Sequence, residues 1–441
     1  MNQVLYVSHS KRGAFYYNDA SARYRCVFPA EEHIASGEQA HAIHFSQINK
    51  VTLSNYKKII FHRPQFSLKL WLIVKLAKKK NIELWVDFDD LLFCPELSDS
   101  SAAVQSGKMP VSLAKKHAKR YLKALKLFSN YQVSTDELAD KLANQLALEN
   151  IGIKKINSEK PNIKISYNKV PERWVRQAEI IPAEERLEKK IIRYLPGTSH
   201  HKHDFAHVEA FLAELLHKNP SYHLNIIGDL EFDYESFPKG QISTTPFQPY
   251  EQLPSLINDS WIIIAPLVDN VFNRCKSGLK FWEGGVFGIP VISSPLRDVE
   301  RFENKGLCIS DDLEEWKQYV LLLENSSKYE EASKQAKNAS AKSVFLQSDE
   351  SKGHRTIYLA LTTKFGPRWP AFALNPTNNT DKNIRTFVCN TQNSELEKKA
   401  IKSIQNDQPP TTNKTLRKAK KLMHSPKKFI NDSKLCQSFF Q

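Results

Sequence analysis

The sequence predicts an α/β protein made of two doubly wound, Rossmann-like domains facing each other across a cleft, followed by a basic C-terminal tail. Three observations carry the prediction. Strand-length apolar runs alternate with helix-length amphipathic segments over 3–170 and again over 190–323, the rhythm of parallel sheets with crossover helices. A charged, weakly periodic stretch, 172–188, separates the two runs. Within the second run lies Phe272–Pro295, FNRCKSGLKFWEGGVFGIPVISSP, where cations, a short helix and a strand follow one another as they do at the ligand edge of open α/β sheets. With 441 residues the chain has room for two such domains and a tail.

The 272–295 stretch organises the rest. Asn273, Lys276, Ser277 and Lys280 are polar or cationic, and Phe281–Phe287 favours a helix with Glu283 set in it. Gly288 suits a helix C-terminus, Pro290 cannot continue the helix, and Val291-Ile292 restarts as a buried strand. Lysines and backbone N–H groups there can hold a pyrophosphate, while Glu283 can accept hydrogen bonds from sugar hydroxyls. Taken singly, each of these residues reads as a solvated surface group; their order is what points to a phosphate site.

The first half opens with the strand Gln3–Ser8 and a polar turn at Gly13, without the G-x-G-x-x-G form. The segment Ser21–Arg25 brings Arg23 and Arg25, and a helix follows to Gly37. His62 and Arg63 come directly after the strand KIIF, at the strand end that faces a cleft. The strand ELWVD delivers Asp87, Asp89 and Asp90 around Phe88. Three carboxylates so close are costly unless a cation, a sugar or a basic network relieves them. They read as an acceptor-facing or catalytic acid cluster, with a solvated turn and an Asp helix cap as the plainer alternative. A D-x-D metal site is set aside because the surrounding pattern is βαβ. Ser134–Glu137 reads as a helix-capping sequence.

In the second half, Pro196-Gly197-Thr198 follows the strand KIIRYL and precedes a helix, a position where backbone amides cradle phosphate. His200, His201 and His203 lack metal-ligand spacing and an evident acidic partner, so a polar loop is the expectation. Residues 330–365 read mostly as helix, 375–415 as an Asn/Thr/Gln/Pro-rich linker, and 416–441 as a basic amphipathic tail.

The 272–295 stretch resembles the donor-binding signature of GT-B glycosyltransferases, in particular the retaining family 4 (group 1) bacterial surface-polysaccharide transferases. That family carries two acids eight positions apart, then G-x-P-V-I/V. Glu283 matches the second acid, and Gly288, Pro290, Val291 and Ile292 match the turn and strand; Cys275 stands where the first acid is usual. The segments WVDFDDLLF and 416–433 are similar to pieces of such transferases. The resemblance implies a GT-B fold: an acceptor domain 1–170, a nucleotide-sugar donor domain 190–345, and a helical segment 346–374 of the kind that often crosses back to the first domain. It implies that Gly197, Thr198, Asn273, Lys276, Ser277, Lys280 and Glu283 bind the donor, with Glu283 on the ribose. Asp87, Asp89, Asp90 and His62 are expected to be catalytic, with Arg23, Arg25 and Arg63 on the acceptor side. No metal or other cofactor is expected, because this fold generally works without bound metal. The rival readings are a non-catalytic glycan-binding relic of the fold and a sugar-nucleotide epimerase.

The formal charge of +15 favours anionic partners. Nucleic acid is excluded by the lack of finger, RNP or basic-zipper patterns. A nucleotide-sugar, a glycan or lipid-linked acceptor, and an anionic inner membrane touched by 416–441 are the expected partners. Six scattered cysteines give neither a zinc site nor a disulfide scaffold. The N-terminus starts as a strand and no apolar run has membrane-spanning length, so a cytoplasmic location is expected, with peripheral membrane contact.

Overall fold

A computed structural model describes residues 3–48, 53–149, 161–177, 181–197, 201–300, 302, 305–341, 344–345, 355–360 and 384–389. The first sheet contains β1 (Gln3–Ser8), β2 (Gln39–His44), β3 (Lys58–His62), β4 (Glu83–Phe88), β5 (Asn130–Val133) and β6 (Asn162–Ile165). Its order is β2-β1-β3-β4-β5-β6, with every pairing parallel. After the short β7 (Val170–Pro171) comes a second parallel sheet, ordered β10-β9-β8-β11-β12-β13. Its strands are β8 (Ile191–Tyr194), β9 (His223–Ile227), β10 (Ile242–Thr245), β11 (Ile262–Ala265), β12 (Val291–Ser293) and β13 (Leu307–Ile309). Continuous apolar runs such as Ile262–Ile264 are buried on both faces, as parallel sheets between helix layers require.

In each sheet the chain winds outward one way and then reverses. The reversal falls between β1 and β3 in the first sheet and between β8 and β11 in the second. Helices leaving neighbouring strands in opposite directions open a crevice at the carboxyl ends there. Both candidate clusters lie at such ends.

The helices follow the apolar periodicity. Leu70, Ile73, Val74 and Ala77 of helix Leu68–Lys79 are buried, and Ser67 caps that helix through the Leu70 amide. Thr135 caps Asp136–Leu148 by accepting from the Leu138 amide at 3.2 Å. Helix Leu279–Gly285 packs on helix Ser326–Ser340 so closely that a Cβ on Gly285 would lie 2.0 Å from Ser340 Oγ. Gly288 stops the shorter helix with φ +72°, a conformation that costs other residues strain.

The connecting stretch 172–188 forms helices Glu172–Gln177 and Ala183–Lys189. Trp174 is buried and stacks on Tyr250 at 4.8 Å, and buried Arg186 donates from Nε to the Asn258 carbonyl at 2.8 Å. Trp174 belongs to an apolar cluster joining Tyr24 and Phe28 of the first lobe to Phe281, Trp282 and Val286 of the second. β7 pairs in parallel with Val344–Phe345, so the chain returns to the connection after its last long helix. Both sheets lie in one compact unit.

Two expectations need correcting. Within 346–374, expected as helical, Arg355–Ala360 is a strand; it pairs with Ile384–Cys389, inside the stretch expected as a linker. RTIYLA and IRTFVC are rich in β-branched and aromatic residues, which suit a pleated ladder better than a helix. The tail 416–441 lies outside the described residues. Among those described, no helix is long and apolar enough to cross a membrane.

Candidate functional site

A cavity of roughly 180 Å³ opens at the carboxyl ends of β8, β11 and β12, at the second sheet's reversal point. Its walls come from Tyr194–Pro196 after β8, Ala265–Leu267 after β11, Ser293 of β12, His201, and the run Lys276–Phe281. Gly197 follows with φ +77°, and Thr198 lies outside the described residues.

Lys276 is half-buried in the wall. Among the described residues it has no ion-pair partner, although burial holds its ammonium below the ordinary lysine value. Asp90 of the first lobe and Asp204 of the second pull in the opposite direction without cancelling that effect. A cation left partly desolvated and unpaired is unfavourable until an anion arrives.

His201 stands beside it. Its Nδ1 is 2.6 Å from Asp204 Oδ2, and Nε2 has no partner among the described residues. Asp204 Oδ1 accepts from the Val268 amide at 2.9 Å and from Asn273 Nδ2 at 3.1 Å, so the carboxylate is fixed and fixes the ring. Burial lowers the His201 pKa; the positive fields of Lys276 and Lys280 add to this, and Asp204 only partly offsets them. Asn273 is therefore a buried brace behind the cavity rather than a group in its wall; its Nδ2 also donates to the Val268 carbonyl at 2.9 Å.

Glu283 is buried, and both its oxygens are engaged. Oε2 accepts from Lys280 Nζ at 2.7 Å, and Oε1 accepts from the Tyr24 hydroxyl at 2.8 Å. Tyr24 belongs to the first lobe and sits on a single π-helical turn, Arg23–Val27, a distortion that often marks functional segments. Its hydroxyl is also 2.8 Å from that of Tyr250. Asn168 ties the lobes a second time: it donates from Nδ2 to Ser277 Oγ at 2.8 Å and accepts on its carbonyl from Trp282 Nε1 at 2.6 Å. A side chain at Gly278 is barred by Val299, and its amide is held by Asp298 Oδ2 at 2.8 Å.

Cys275 does not line the cavity. It is buried in the first lobe's apolar cluster, where its carbonyl accepts from Thr135 Oγ1 at 2.9 Å and burial pushes the thiol up to about 12. The position of the missing acid therefore points at the other lobe.

The first-lobe residues gather at the ends of β3 and β4. Asp87 is fully buried and faces inward. Arg25 binds both of its oxygens, His62 Nδ1 lies 2.8 Å from Oδ2, and Gln132 Nε2 donates to Oδ1 at 3.0 Å. Burial works against its ionisation, but Arg25 and His62 outweigh this and hold the carboxyl below the usual range. His62 Nε2 is 2.9 Å from Ser21 Oγ, which in turn donates to Asp89. Arg63, in the left-handed region at φ +48°, bridges Asp89 and Asp90. Asp90 is half-buried, and its pKa is raised by burial and by the charge of Asp89, against the pull of Arg63 and Lys276. Arg25, expected on the acceptor side, is an interior strut. Arg23 lies over the Tyr250 ring at 4.2 Å and donates to the Tyr17 carbonyl at 3.0 Å.

The predicted residues thus form two groups: Lys276, Ser277, Lys280 and Glu283 with the Gly197 turn, and His62, Arg63, Asp87, Asp89 and Asp90. The field of Asp90 at Lys276, the Asn168–Ser277 bond and the Tyr24–Glu283 bond connect them. Sequence reasoning missed His201, Asp204, Tyr24 and Tyr250. The i, i+3 spacing of His201 and Asp204 at a helix start was the available signal, hidden by reading the histidines as a polar loop without an acidic partner. Tyr24 and Tyr250 gave none, being 226 positions apart. Among the described residues no group of three His, Cys, Asp or Glu side chains is placed to hold a metal ion.

No known family pattern matches the chain, and no curated protein matches it in sequence. Its structure is similar to that of sucrose-phosphate synthase from Thermosynechococcus elongatus, with a TM-score of 0.52 at 11% identity, over 78% of this chain and 95% of that one. It is also similar to Anabaena HepE in complex with UDP and glucose (TM-score 0.49, 10% identity, 78% and 95% covered). A third likeness is to WaaG, a glycosyltransferase involved in lipopolysaccharide biosynthesis (TM-score 0.47, 12% identity, 77% and 95% covered). At such identities the likeness speaks of fold. The first match and the two parallel six-stranded sheets give this chain the GT-B fold.

Proposed function

We propose that the protein is a glycosyltransferase that moves a sugar from a nucleotide-sugar donor to a growing bacterial surface glycan, capsule or lipopolysaccharide. The observation that carries this reading is Lys276: a half-buried ammonium without a counter-ion among the described residues, in the wall of a cavity at the reversal point of a GT-B donor-side sheet. A nucleoside diphosphate supplies the missing charge. Lys276 and His201 hold its phosphates, with Gly197, Thr198 and Ser277 completing the contact. Glu283 takes the ribose hydroxyls in place of the Tyr24 hydroxyl, and Lys280 steadies Glu283 from the same helix.

As the bond from the sugar to the phosphate breaks, negative charge collects on the departing oxygen, and the nearby Lys276 ammonium stabilises it. Asp90 is the carboxylate best placed to meet an acceptor hydroxyl, being half-buried and held by Arg63. Its raised pKa suits it to hold a proton in transit. Asp87 and His62 act behind it, setting Ser21 and Asp89. With this charge compensation the reaction needs no metal. The resemblance to family 4 implies retention of configuration by attack from the leaving-group face, on a glycan or lipid-linked acceptor. A cytoplasmic enzyme with 416–441 resting on the inner membrane fits the same reading.

The test is calorimetry with UDP-, GDP-, dTDP- and CMP-sugars, followed by transfer assays. Lys280→Ala and Glu283→Ala should each lower transfer sharply while the protein stays folded. No binding of any donor overturns the proposal; binding without transfer or hydrolysis favours the non-catalytic reading.

A further inference from the structure

Two thiols from different lobes are buried in one apolar cluster, next to the loop that carries Lys276. Cys94, in the first lobe, is the N-cap of the short helix Pro95–Ser100, and Cys275, in the second, is the C-cap of Val271–Arg274. These two helices pack on each other, and both cysteines share the first-lobe core with Leu91, Phe93 and Phe272. The Cys275 carbonyl is held by Thr135 Oγ1 at 2.9 Å, and its thiol donates to the Val271 carbonyl at 3.3 Å. Burial pushes both thiols up to about 12. Glu137 adds to this at Cys275, the Lys141 ammonium pulls both thiols down, and the neighbouring Cys94 raises Cys275 in turn. Cys26 belongs to a different cluster and Cys308 packs against the second-lobe core, so among the described residues Cys94 and Cys275 are the cysteines that share one. All four are free thiols.

We propose that Cys94 and Cys275 form a peroxide-driven disulfide that locks the two lobes together beside the cavity. The thiols meet while the lobes are shut, and there burial keeps them protonated and away from solvent. The first step therefore belongs to the parted lobes, where one of the two is exposed as a thiolate. Its sulfur attacks the O–O bond of a hydroperoxide. That bond breaks, the sulfur becomes a sulfenic acid, and the other oxygen leaves as an alcohol, or as water when the oxidant is hydrogen peroxide. Closure brings the second sulfur onto the sulfenic sulfur, with Lys141 favouring its thiolate. The S–S bond forms, the S–O bond breaks, and the oxygen departs as water. Two thiols thus give up two electrons and two protons, and the hydroperoxide takes both and ends as one alcohol and one water. The new bond joins the residue before Lys276 to the first lobe, where the Thr135–Cys275 and Asn168–Ser277 hydrogen bonds already hold the same loop. A dithiol reverses it by exchange. The link forms whether or not the protein transfers a sugar.

The test is peptide mass spectrometry on the full-length chain after hydrogen peroxide, catalase and N-ethylmaleimide, with no donor present. A disulfide forms only where the two Cα atoms come within about 7 Å, so the linkage map reads the shut lobes directly. Wild type should yield a Cys94–Cys275 linked peptide within one monomer, released by dithiothreitol and absent from Cys94→Ala and Cys275→Ala. Amide exchange over 272–280 should slow by about fivefold or more in oxidised wild type and stay as it was when either variant meets peroxide. Peroxide that leaves both residues open to N-ethylmaleimide, or oxidises them without joining them, overturns the proposal. So does a linkage found only between two copies of the chain or only in urea, or a linked protein whose 272–280 segment exchanges as before. The linked peptide is read on wild type, so a variant that fails to fold does not affect it.

Discussion

Lys276→Met separates the cost of the empty site from its use. The substitution keeps a long unbranched stem and removes the charge. In the folded protein burial disfavours the ammonium, and Asp90 and Asp204 do not restore it. A lysine whose folded pKa lies below its unfolded one destabilises the fold at neutral pH, and that penalty fades as pH rises through the folded value. Removing the charge should therefore raise stability, by about 0.5–1 kcal/mol or roughly 1–2 °C in Tm for a chain of this size. Donor binding should move the other way. A unit charge about 4 Å from a phosphate oxygen contributes about 4 kcal/mol at an effective dielectric of 20. Partial exposure of the lysine discounts that to about 2 kcal/mol, or about thirtyfold in Kd. Differential scanning fluorimetry and calorimetry with the best-binding nucleotide-sugar read the two quantities on one sample. A variant that binds within about twofold of wild type, or that melts lower, would refute the reasoning.

Three further outcomes are expected. His201 is held low by burial and by Lys276 and Lys280, so the empty site carries it neutral at pH 7; a bound diphosphate raises it. Nucleotide-sugar binding should then take up a proton and weaken as pH rises through the complexed value, and calorimetry in buffers of different ionisation enthalpy should lose that signal in His201→Gln. Asp87→Asn strands Arg25 without a full counter-charge and should cost about 3–5 kcal/mol in urea unfolding. In wild type the contribution of Asp87 is complete above the unfolded carboxyl value near 3.9 and should be lost as pH falls through its lowered folded value. Gly285→Ala pushes a methyl against Ser340 Oγ and should cost about 1–3 kcal/mol, partly recovered by Ser340→Ala.

The sheets were legible because buried parallel strands write themselves as short apolar runs, and the 279–293 helix, turn and strand because Gly288 and Pro290 punctuate it. The placement of chemistry-bearing residue types was also visible: the lysines stand in the wall of the cavity, and the DFDD acids at the carboxyl end of β4. Their orientation was not. Asp87 and Asp90 read alike in sequence, yet the first lies beneath Arg25 and the second opens toward Lys276. Arg25 was expected on the acceptor side because nothing local announces that its partner is 62 positions away. The packing of the connection around Trp174 was not legible for a similar reason. Its apolar contacts are few and long-range, so they leave no period in the local pattern.

The bond from Tyr24 to Glu283 puts a phenol of one lobe on the acid of the other. Under the proposed function a ribose would claim that same carboxylate, and donor entry would be an exchange rather than an addition: one hydroxyl leaves the acid as another arrives. The phenol keeps the buried anion from being stranded, and whatever displaces Tyr24 also loosens a clasp between the halves.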